Sequence, residues 1–181
     1  MDEVTSSHDV PEGCRTNLGL YVTPTEAYEK WASGGDKVKV LDVRTPEEYA
    51  FVGHPEMAMN IPFVMHTYRW EPELGRVAIE ANPRFMPEVQ SWADPADTIL
   101  VMCRSGGRAA LAVNALAGAG YTNVYNILEG MEGERVNDPG SDSHRKRMVN
   151  GWKNAGLPWT HDLDPALMRL PARPPRSPEG R

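Results

Sequence analysis

The sequence lacks several features that would assign it to other classes of protein. Its 181 residues contain no apolar run of about 18 residues, so no membrane-spanning helix is predicted. The segment MDEVTSSHDV at the start has neither the basic stretch nor the apolar core of a signal peptide. Basic residues are not in excess, and a net charge of −6 argues against a nucleic-acid-binding domain. We therefore expect a cytoplasmic protein that binds neither membranes nor nucleic acid.

Cysteine is also scarce, which limits the chemistry available to the chain. Cys14 and Cys103 are too few for the disulfide framework of a small secreted domain. A single disulfide between them is one alternative, but free thiols are favoured because residues 1–17 are expected to form a flexible leader. No zinc-ligand spacing occurs among His8, His54, His66, His144 and His161. The sequence thus predicts no metal and indicates no cofactor.

The hydrophobic pattern predicts one α/β domain over residues 18–160, with a central parallel sheet and helices on both faces. Capping boxes with proline at the first helical position predict helices that begin after Thr23 and Thr45. Other segments complete the alternation: strands at 38–43, 60–63, 98–102 and 124–128, and helices near 87–92 and over 109–119. Residues 161–181 are rich in proline and arginine. They are expected to form a mobile or docked tail. A solvated tail is favoured over one that binds a partner.

The segment Cys103-Arg104-Ser105-Gly106-Gly107-Arg108 lies between a predicted buried strand and a predicted helix. Ligands of open parallel sheets bind at the carboxyl ends of strands. The paired glycines allow the backbone to curl so that its N–H groups face the sulfur, and the helix N-terminus and two arginines add positive charge. These effects favour the nucleophilic thiolate. They would also hold an anion such as a persulfide or the sulfonate end of thiosulfate.

The alternative is that Cys103 is a buried, inert side chain, which is the usual role of a free cysteine. The flanking residues argue against it. Burial of Arg104 and Arg108 beside an inert thiol would be costly without an anionic partner. A reactive cysteine is therefore the favoured interpretation.

Five segments in the same order resemble the rhodanese-like domain family, over about residues 20 to 160. They are Leu41 to Tyr49, Gly53-His54 with Asn60-Ile61-Pro62, Cys103 to Arg108, Leu128-Glu129-Gly130, and Gly151 to Pro158. The resemblance implies that Cys103 carries sulfane sulfur and that the amides from Arg104 to Arg108, through Ser105, Gly106 and Gly107, cradle the persulfide. Related phosphatases and arsenate reductases have a loop one residue longer, so we expect a sulfurtransferase.

The resemblance implies transfer of sulfur from thiosulfate or a persulfide donor to a thiol or cyanide acceptor, through a Cys103 persulfide. Arg104 and Arg108 would orient the anionic donor. The partners would then be a small anionic sulfur donor and a thiol acceptor, either a small molecule or a protein. The alternative function is a sulfur carrier or docking module that receives persulfide from a partner protein. A non-catalytic interaction domain is disfavoured by the intact loop.

Other polar residues are weighed against structural roles. Asp42 and Arg44 are favoured as structural, with Arg44 paired to Glu48 and Asp42 bound to loop amides, although the resemblance places both near the pocket rim. His54 is expected to be a hydrogen-bonded structural residue. Cys14 is a candidate second thiol but is expected to be inert. The aromatic residues Tyr68, Trp70 and Phe85 are expected to pack in the core rather than line the pocket mouth.

The chain departs from the family where residues 131–150 separate the last strand from the Gly151-Trp152 segment. Because this insertion leaves the carboxyl end of a strand, it should lie on the active-site side of the sheet. It contains the basic run His144-Arg145-Lys146-Arg147. Two interpretations stay open: a wall or lid that restricts the acceptor and attracts anions, and an inert surface loop.

Overall fold

The structure is a computed structural model that describes residues 10–170. In chain order the strands are β1 (Tyr21–Val22), β2 (Val38–Asp42), β3 (Met59–Asn60), β4 (Val64–Glu71), β5 (Arg76–Ala81), β6 (Thr98–Met102) and β7 (Val124–Ile127). The helices are α1 (Pro24–Gly34), α2 (Pro46–Val52), α3 (Phe85–Trp92) and α4 (Gly107–Gly118). Short 3-10 turns occur at Glu12–Cys14, Gly35–Lys37, Trp152–Asn154 and Pro165–Leu167.

Five strands form a parallel sheet in the order β1-β7-β6-β2-β3. Alternate residues of β6 point to opposite faces, as the twofold repeat of a strand requires. Ile99 and Val101 pack in a cluster with α3 and α4, whereas Leu100 and Met102 pack in a second cluster with α1 and α2. The predicted fold class, a parallel sheet covered by helices on both faces, is confirmed.

Both predicted capping boxes are formed. The Thr23 hydroxyl accepts a hydrogen bond from the Glu26 amide, and the Glu26 carboxylate accepts one from the Thr23 amide. Thr45 and Glu48 make the same reciprocal pair at the start of α2. In each of the two helices, two backbone N–H groups that have no partner within the helix are thereby paired. These bonds fix the residue at which the helix begins.

The middle of the chain contains an element that the sequence pattern did not predict. Strands β4 and β5 form an antiparallel hairpin outside the main sheet, closed by a turn at Pro72 to Gly75. Its strands are mostly half-buried or exposed, so they lack the apolar run of a buried strand. Tyr68 and Trp70 lie on it, exposed, and the expectation that they pack in the core is wrong. Phe85, at the start of α3, is in the core as expected.

The boundaries of one strand also differ from the prediction. The strand predicted at 60–63 is β3, which has only two residues and begins one residue earlier than predicted. The Ile61 and Phe63 amides nevertheless donate to the carbonyls of Asp42 and Val43, so the chain continues alongside β2 past Pro62. The segment Gly151 to Pro158 contains only the 3-10 turn Trp152–Asn154, followed by Gly156 at a positive φ of 74°. Trp152 nevertheless lies fully buried against the sheet.

The segments at both ends of the domain are packed within the described range. The predicted leader is wrong for residues 10–17, because the Glu12–Cys14 turn packs on α4 and both Val10 and Cys14 are buried. Residues 161–170 dock on the domain, where the Arg169 amide donates to the Asn60 carbonyl. The rest of the two predicted segments, residues 1–9 and 171–181, lies outside the described residues. Over residues 10–170, no helix has the length and apolarity needed to cross a membrane.

A buried ion pair holds the carboxyl end of β2. The Arg44 guanidinium donates to the Asp42 carboxylate at 2.6 and 3.0 Å and to the Gly53 carbonyl at 2.8 Å, and both side chains are fully buried. The Asn60 side-chain amide donates to the carbonyls of Asp42 and Arg44. This cluster ties β2, the end of α2 and β3 together beside the Cys103 loop.

Removal of one partner should therefore be costly. We expect Asp42→Ala to lower the free energy of unfolding by about 3 to 5 kcal/mol, because it leaves a buried, unpaired guanidinium. The double variant Asp42→Ala/Arg44→Met should regain most of this loss. Urea denaturation measures both. The pair of the exposed Arg76 and the half-buried Glu71 is the matched control, and Glu71→Ala should cost at most about 1 kcal/mol. A single variant as stable as this control would contradict the assignment.

Candidate active site

Cys103 lies where the sequence predicts it, between the end of β6 and the start of α4. The residue is 2% exposed, so its sulfur lies at the base of the loop rather than on the surface. The Gly106 amide donates a hydrogen bond to Sγ at 3.2 Å. The position at the N-terminus of α4 adds the partial positive charge of the helix dipole.

The other main-chain amides of the loop, which the sequence assigns to the cradle, have no partner that the structure describes. Among residues 10–170, no acceptor bonds the amides of Arg104, Ser105, Gly107 or Arg108. Only the Gly106 amide contacts the sulfur itself, so the expectation that all loop amides face Sγ is met at one position. Adjacent unpaired amides at a helix N-terminus are an anion-binding arrangement.

Two glycines permit this loop conformation. Gly106 has a φ of +95°, and a Cβ there would lie 2.9 Å from the Cys14 sulfur. Gly130, after β7, has a φ of +59°, and a Cβ there would lie 2.3 Å from the Cys103 carbonyl oxygen. A side chain at Gly130 would collide with backbone, which cannot move aside. Both glycines are therefore required for the loop to pack as it does.

Arg108 has a different neighbour from the one predicted. Its guanidinium makes a two-point ion pair with the Glu48 carboxylate, with both N–O distances at 2.6 Å. Although burial opposes both charges, this pairing lowers the pKa of Glu48 and raises the pKa of Arg108. The pair connects the start of α4 to α2. Arg108 is thus already neutralised by a carboxylate, whereas the exposed Arg104 has no carboxylate partner in the described chain.

Asp42 and Arg44 have structural roles, as favoured from the sequence, but two details are corrected. Both side chains are fully buried, so neither lies at the pocket rim. Arg44 pairs with Asp42 rather than with the Glu48 carboxylate, which Arg108 occupies. Asp42 does bind a loop amide, that of Arg44, at 3.0 Å.

His54 is confirmed as a structural residue. Its Nδ1 lies 3.0 Å from the Tyr49 carbonyl oxygen, and its ring stacks on the Tyr49 ring with centroids 3.6 Å apart. Burial lowers the pKa of His54, which favours the neutral ring. It is positioned beside the Asp42–Arg44 pair and does not contact the Cys103 loop.

Cys14 packs against the loop, which the sequence did not indicate. Its thiol points at the Ser105 carbonyl at 3.8 Å, and its own carbonyl accepts from the buried Asn126 side chain. The same Asn126 amide group reaches the Gly106 carbonyl at 3.2 Å. Burial, together with the nearby Cys103, raises the pKa of the Cys14 thiol, in agreement with the expectation that it is inert. Asparagine in the otherwise apolar strand β7 was the one available signal.

The insertion lies on the active-site side, as predicted. The Met131 amide donates to the Cys103 carbonyl at 2.8 Å, and the Glu132 amide to the Arg104 carbonyl at 2.9 Å. The first residues of the insertion are therefore hydrogen-bonded directly to the loop.

The described chain contains no group of three His, Cys, Asp or Glu side chains placed to hold a metal ion.

Two curated plant proteins are similar to this chain. It is 38% identical over 92 residues to thiosulfate sulfurtransferase 16, chloroplastic, of Arabidopsis thaliana, covering 51% of this chain and 69% of that protein. It is 44% identical over 89 residues to thiosulfate sulfurtransferase 18 of the same plant, covering 48% of this chain and 59% of that protein. The similarity thus extends over about half of this chain and only part of each relative.

Solved structures and family models extend the comparison. The crystal structure of Rv0390 from M. tuberculosis superposes with a TM-score of 0.61 at 27% identity, covering 78% of this chain and 96% of that one. The model of the rhodanese-like domain matches residues 23–134, which is more than half of the chain and includes the Cys103 loop. By this match and by its fold, the chain belongs to the rhodanese-like domain family.

Proposed function

We propose that this protein is a sulfurtransferase that carries sulfur as a persulfide on Cys103. The proposal rests on the position of the Cys103 sulfur. This sulfur accepts a hydrogen bond from one amide, and the residues next to it have unpaired amides at a helix N-terminus. The names of the two plant relatives, both thiosulfate sulfurtransferases, support the reaction class.

The reaction proceeds by double displacement. The Cys103 thiolate attacks the outer sulfur of thiosulfate, a bond forms between these two sulfurs, and the bond to the sulfonate sulfur breaks. Sulfite leaves with the electron pair. An acceptor thiolate then attacks the outer sulfur of the Cys103 persulfide, and the electron pair of the broken bond returns to Cys103. The acceptor leaves as a persulfide, or as thiocyanate when the acceptor is cyanide.

The loop residues divide this work between them. The unpaired amides of Arg104, Ser105, Gly107 and Arg108 stabilise negative charge on the outer sulfur and on the departing sulfite. The exposed Arg104 attracts and orients the anionic donor. Arg108, whose charge is neutralised by Glu48, holds the start of α4 against α2 through this pair. It is a positioning residue.

The sulfur-carrier alternative uses the same persulfide and differs in the source of the sulfur. In that case Cys103 would be loaded quickly by a protein persulfide and slowly by thiosulfate. In the docked tail segment, residues 161–170, the Arg169 amide donates to the Asn60 carbonyl, and Thr160 just before it pairs with His54. These contacts are not on the loop, so the segment does not block access to Cys103. We therefore favour direct reaction with a small donor.

Persulfide formation can be tested by mass. After treatment with thiosulfate and removal of the excess, intact-mass analysis should show one added sulfur atom on the wild-type protein and none on Cys103→Ser. Cys14→Ser is the matched control, because it removes the other thiol and should still gain sulfur. A wild-type protein without an adduct from thiosulfate or cysteine persulfide would refute the proposal, and an adduct from cysteine persulfide alone would favour the carrier.

The Glu48–Arg108 pair should give stability a defined dependence on pH. Because the pKa of Glu48 is lowered in the folded state, its contribution is complete above the ordinary value of 4.5 and is lost as the pH falls through the folded value. We expect Glu48→Gln to be about 2 kcal/mol less stable than wild type at pH 7, a difference that shrinks in acid.

Urea denaturation between about pH 3 and 7 measures this difference, over the range in which carboxylates titrate. Glu80→Gln removes an exposed carboxylate 3.7 Å from Arg69 and serves as the control, with little change at any pH. A Glu48→Gln difference that stays constant across the range would contradict the role of the ion pair.

A further inference from the structure

The insertion folds as a loop with a closed neck. The Asn154 side chain donates to the carbonyls of Glu132, Arg147 and Asn150 at 3.2, 3.2 and 2.7 Å. The Asn150 side-chain oxygen accepts from the Glu134 amide at 2.8 Å. The half-buried Asn150 and the exposed Asn154 thus join the start of the insertion to its end, and the chain between them folds as a unit.

This neck stands directly on the active-site loop. Beside the bond from Glu132, the Gly133 amide donates to the Arg104 carbonyl at 3.3 Å. The Gly133 carbonyl in turn accepts a hydrogen bond from the Arg147 guanidinium. Arg147 is therefore connected to Arg104 through one intervening residue, although the two are far apart in the sequence.

Arg135 is a second arginine of the insertion, on the same face as Arg147. Arg135 and Arg147 are partners in an antiparallel bridge, flanked by hydrogen bonds between Val136 and both Lys146 and Arg145. Residues directly opposite in such a bridge have side chains on the same face, about 5 Å apart at Cβ. Like charges placed there repel each other, so this arrangement is unfavourable unless something else stabilises it.

No carboxylate within the described residues forms an ion pair with Arg104, Arg135 or Arg147. Glu132 lies nearby but is paired with Lys153 at 3.8 Å, and Glu134 at the neck is exposed. Burial, followed by the charges of Arg104 and Arg135, lowers the pKa of Arg147, whereas Glu132 and Cys103 act in the opposite direction. The guanidinium groups of these three arginines thus lie close enough for their charges to interact, next to the reactive sulfur.

We infer that Arg104, Arg135 and Arg147 form a three-arginine surface that binds the anionic groups of the sulfur acceptor and selects small thiols with two or more carboxylates. The inference rests on the proposed function and extends it to the class of acceptor. Thiosulfate is compact enough for the amide cradle alone. Only a larger anion, with its thiol at Cys103, reaches the insertion.

The chemistry of the transfer step is unchanged by these contacts. The acceptor thiolate forms a bond to the outer sulfur, and the bond from that sulfur to Cys103 breaks, while the carboxylates of the acceptor take no part. The surface binds ground state and transition state alike. Its loss should therefore raise KM for anionic acceptors and leave kcat nearly unchanged.

The test uses the full chain, loaded with sulfur at Cys103, and three acceptors of increasing negative charge: 2-mercaptoethanol, 3-mercaptopropionate and mercaptosuccinate. For Arg135→Gln/Arg147→Gln, kcat/KM with mercaptosuccinate relative to 2-mercaptoethanol should fall about tenfold from the wild-type ratio. The ratio for 3-mercaptopropionate should fall less. Use of ratios cancels the different intrinsic reactivities of the thiols.

A matched control removes the same charge from the same loop. Arg145→Gln/Lys146→Gln changes two exposed residues of the insertion and should keep most of the wild-type preference. The single variant Arg135→Gln, whose side chain makes no neck contact, should show an intermediate loss. If the control pair loses as much preference as the Arg135 and Arg147 pair, a general field is acting and the inference is wrong.

Loading of Cys103 separates this inference from the proposed function. Variants that gain one sulfur from thiosulfate to the wild-type extent are folded and competent in the first half-reaction. Normal loading with an unchanged charge preference would overturn the three-arginine surface and leave the sulfurtransferase assignment intact. Absence of loading in the wild type would overturn both.

Discussion

The hydrogen bond from the Gly106 amide to the Cys103 sulfur requires a backbone that only glycine follows easily. At Gly106 the positive φ turns the chain into α4, and a Cβ there would come within 2.9 Å of the Cys14 sulfur. At Gly130 the backbone after β7 approaches the Cys103 carbonyl too closely for any side chain. The position of the sulfur thus depends on close contact between two backbone segments. A change in side-chain packing cannot replace this contact.

The charged side chains around the Cys103 sulfur lie at different depths. The Asp42–Arg44 pair is fully buried and stiffens the carboxyl end of β2, and the Glu48–Arg108 pair braces the start of α4 from outside. Both pairs are internally neutral, so their main contribution is position. In the proposed function, the loop amides and the arginines that have no carboxylate partner in the described chain provide the net positive potential that an anionic substrate would meet.

The site is assembled from segments that are remote in sequence. Cys14 and Asn126 pack beneath the loop, and the residues from Met131 to Gly133 bind its carbonyls from the other side. The loop is therefore held at both edges, by the segment before β1 and by the insertion after β7. This double support fixes the conformation of the loop.

Local patterns in the sequence determined a large part of this arrangement. The capping boxes at Thr23 and Thr45, the buried strands and the loop from Cys103 to Arg108 depend on contacts between near neighbours, so their residue types predicted them. The hairpin of β4 and β5 was missed because its half-exposed strands carry no clear periodicity.

Only the tertiary structure decided which charged side chain meets which. Arg44 had Glu48 within one helical turn, yet it pairs with Asp42, and Glu48 pairs with Arg108, which is 60 positions away. The same holds for Cys14 under the loop and for Arg135 and Arg147 beside Arg104. An ion pair or a packed thiol depends on distance in space, and the crossing connections of a parallel sheet bring together residues that no local pattern relates.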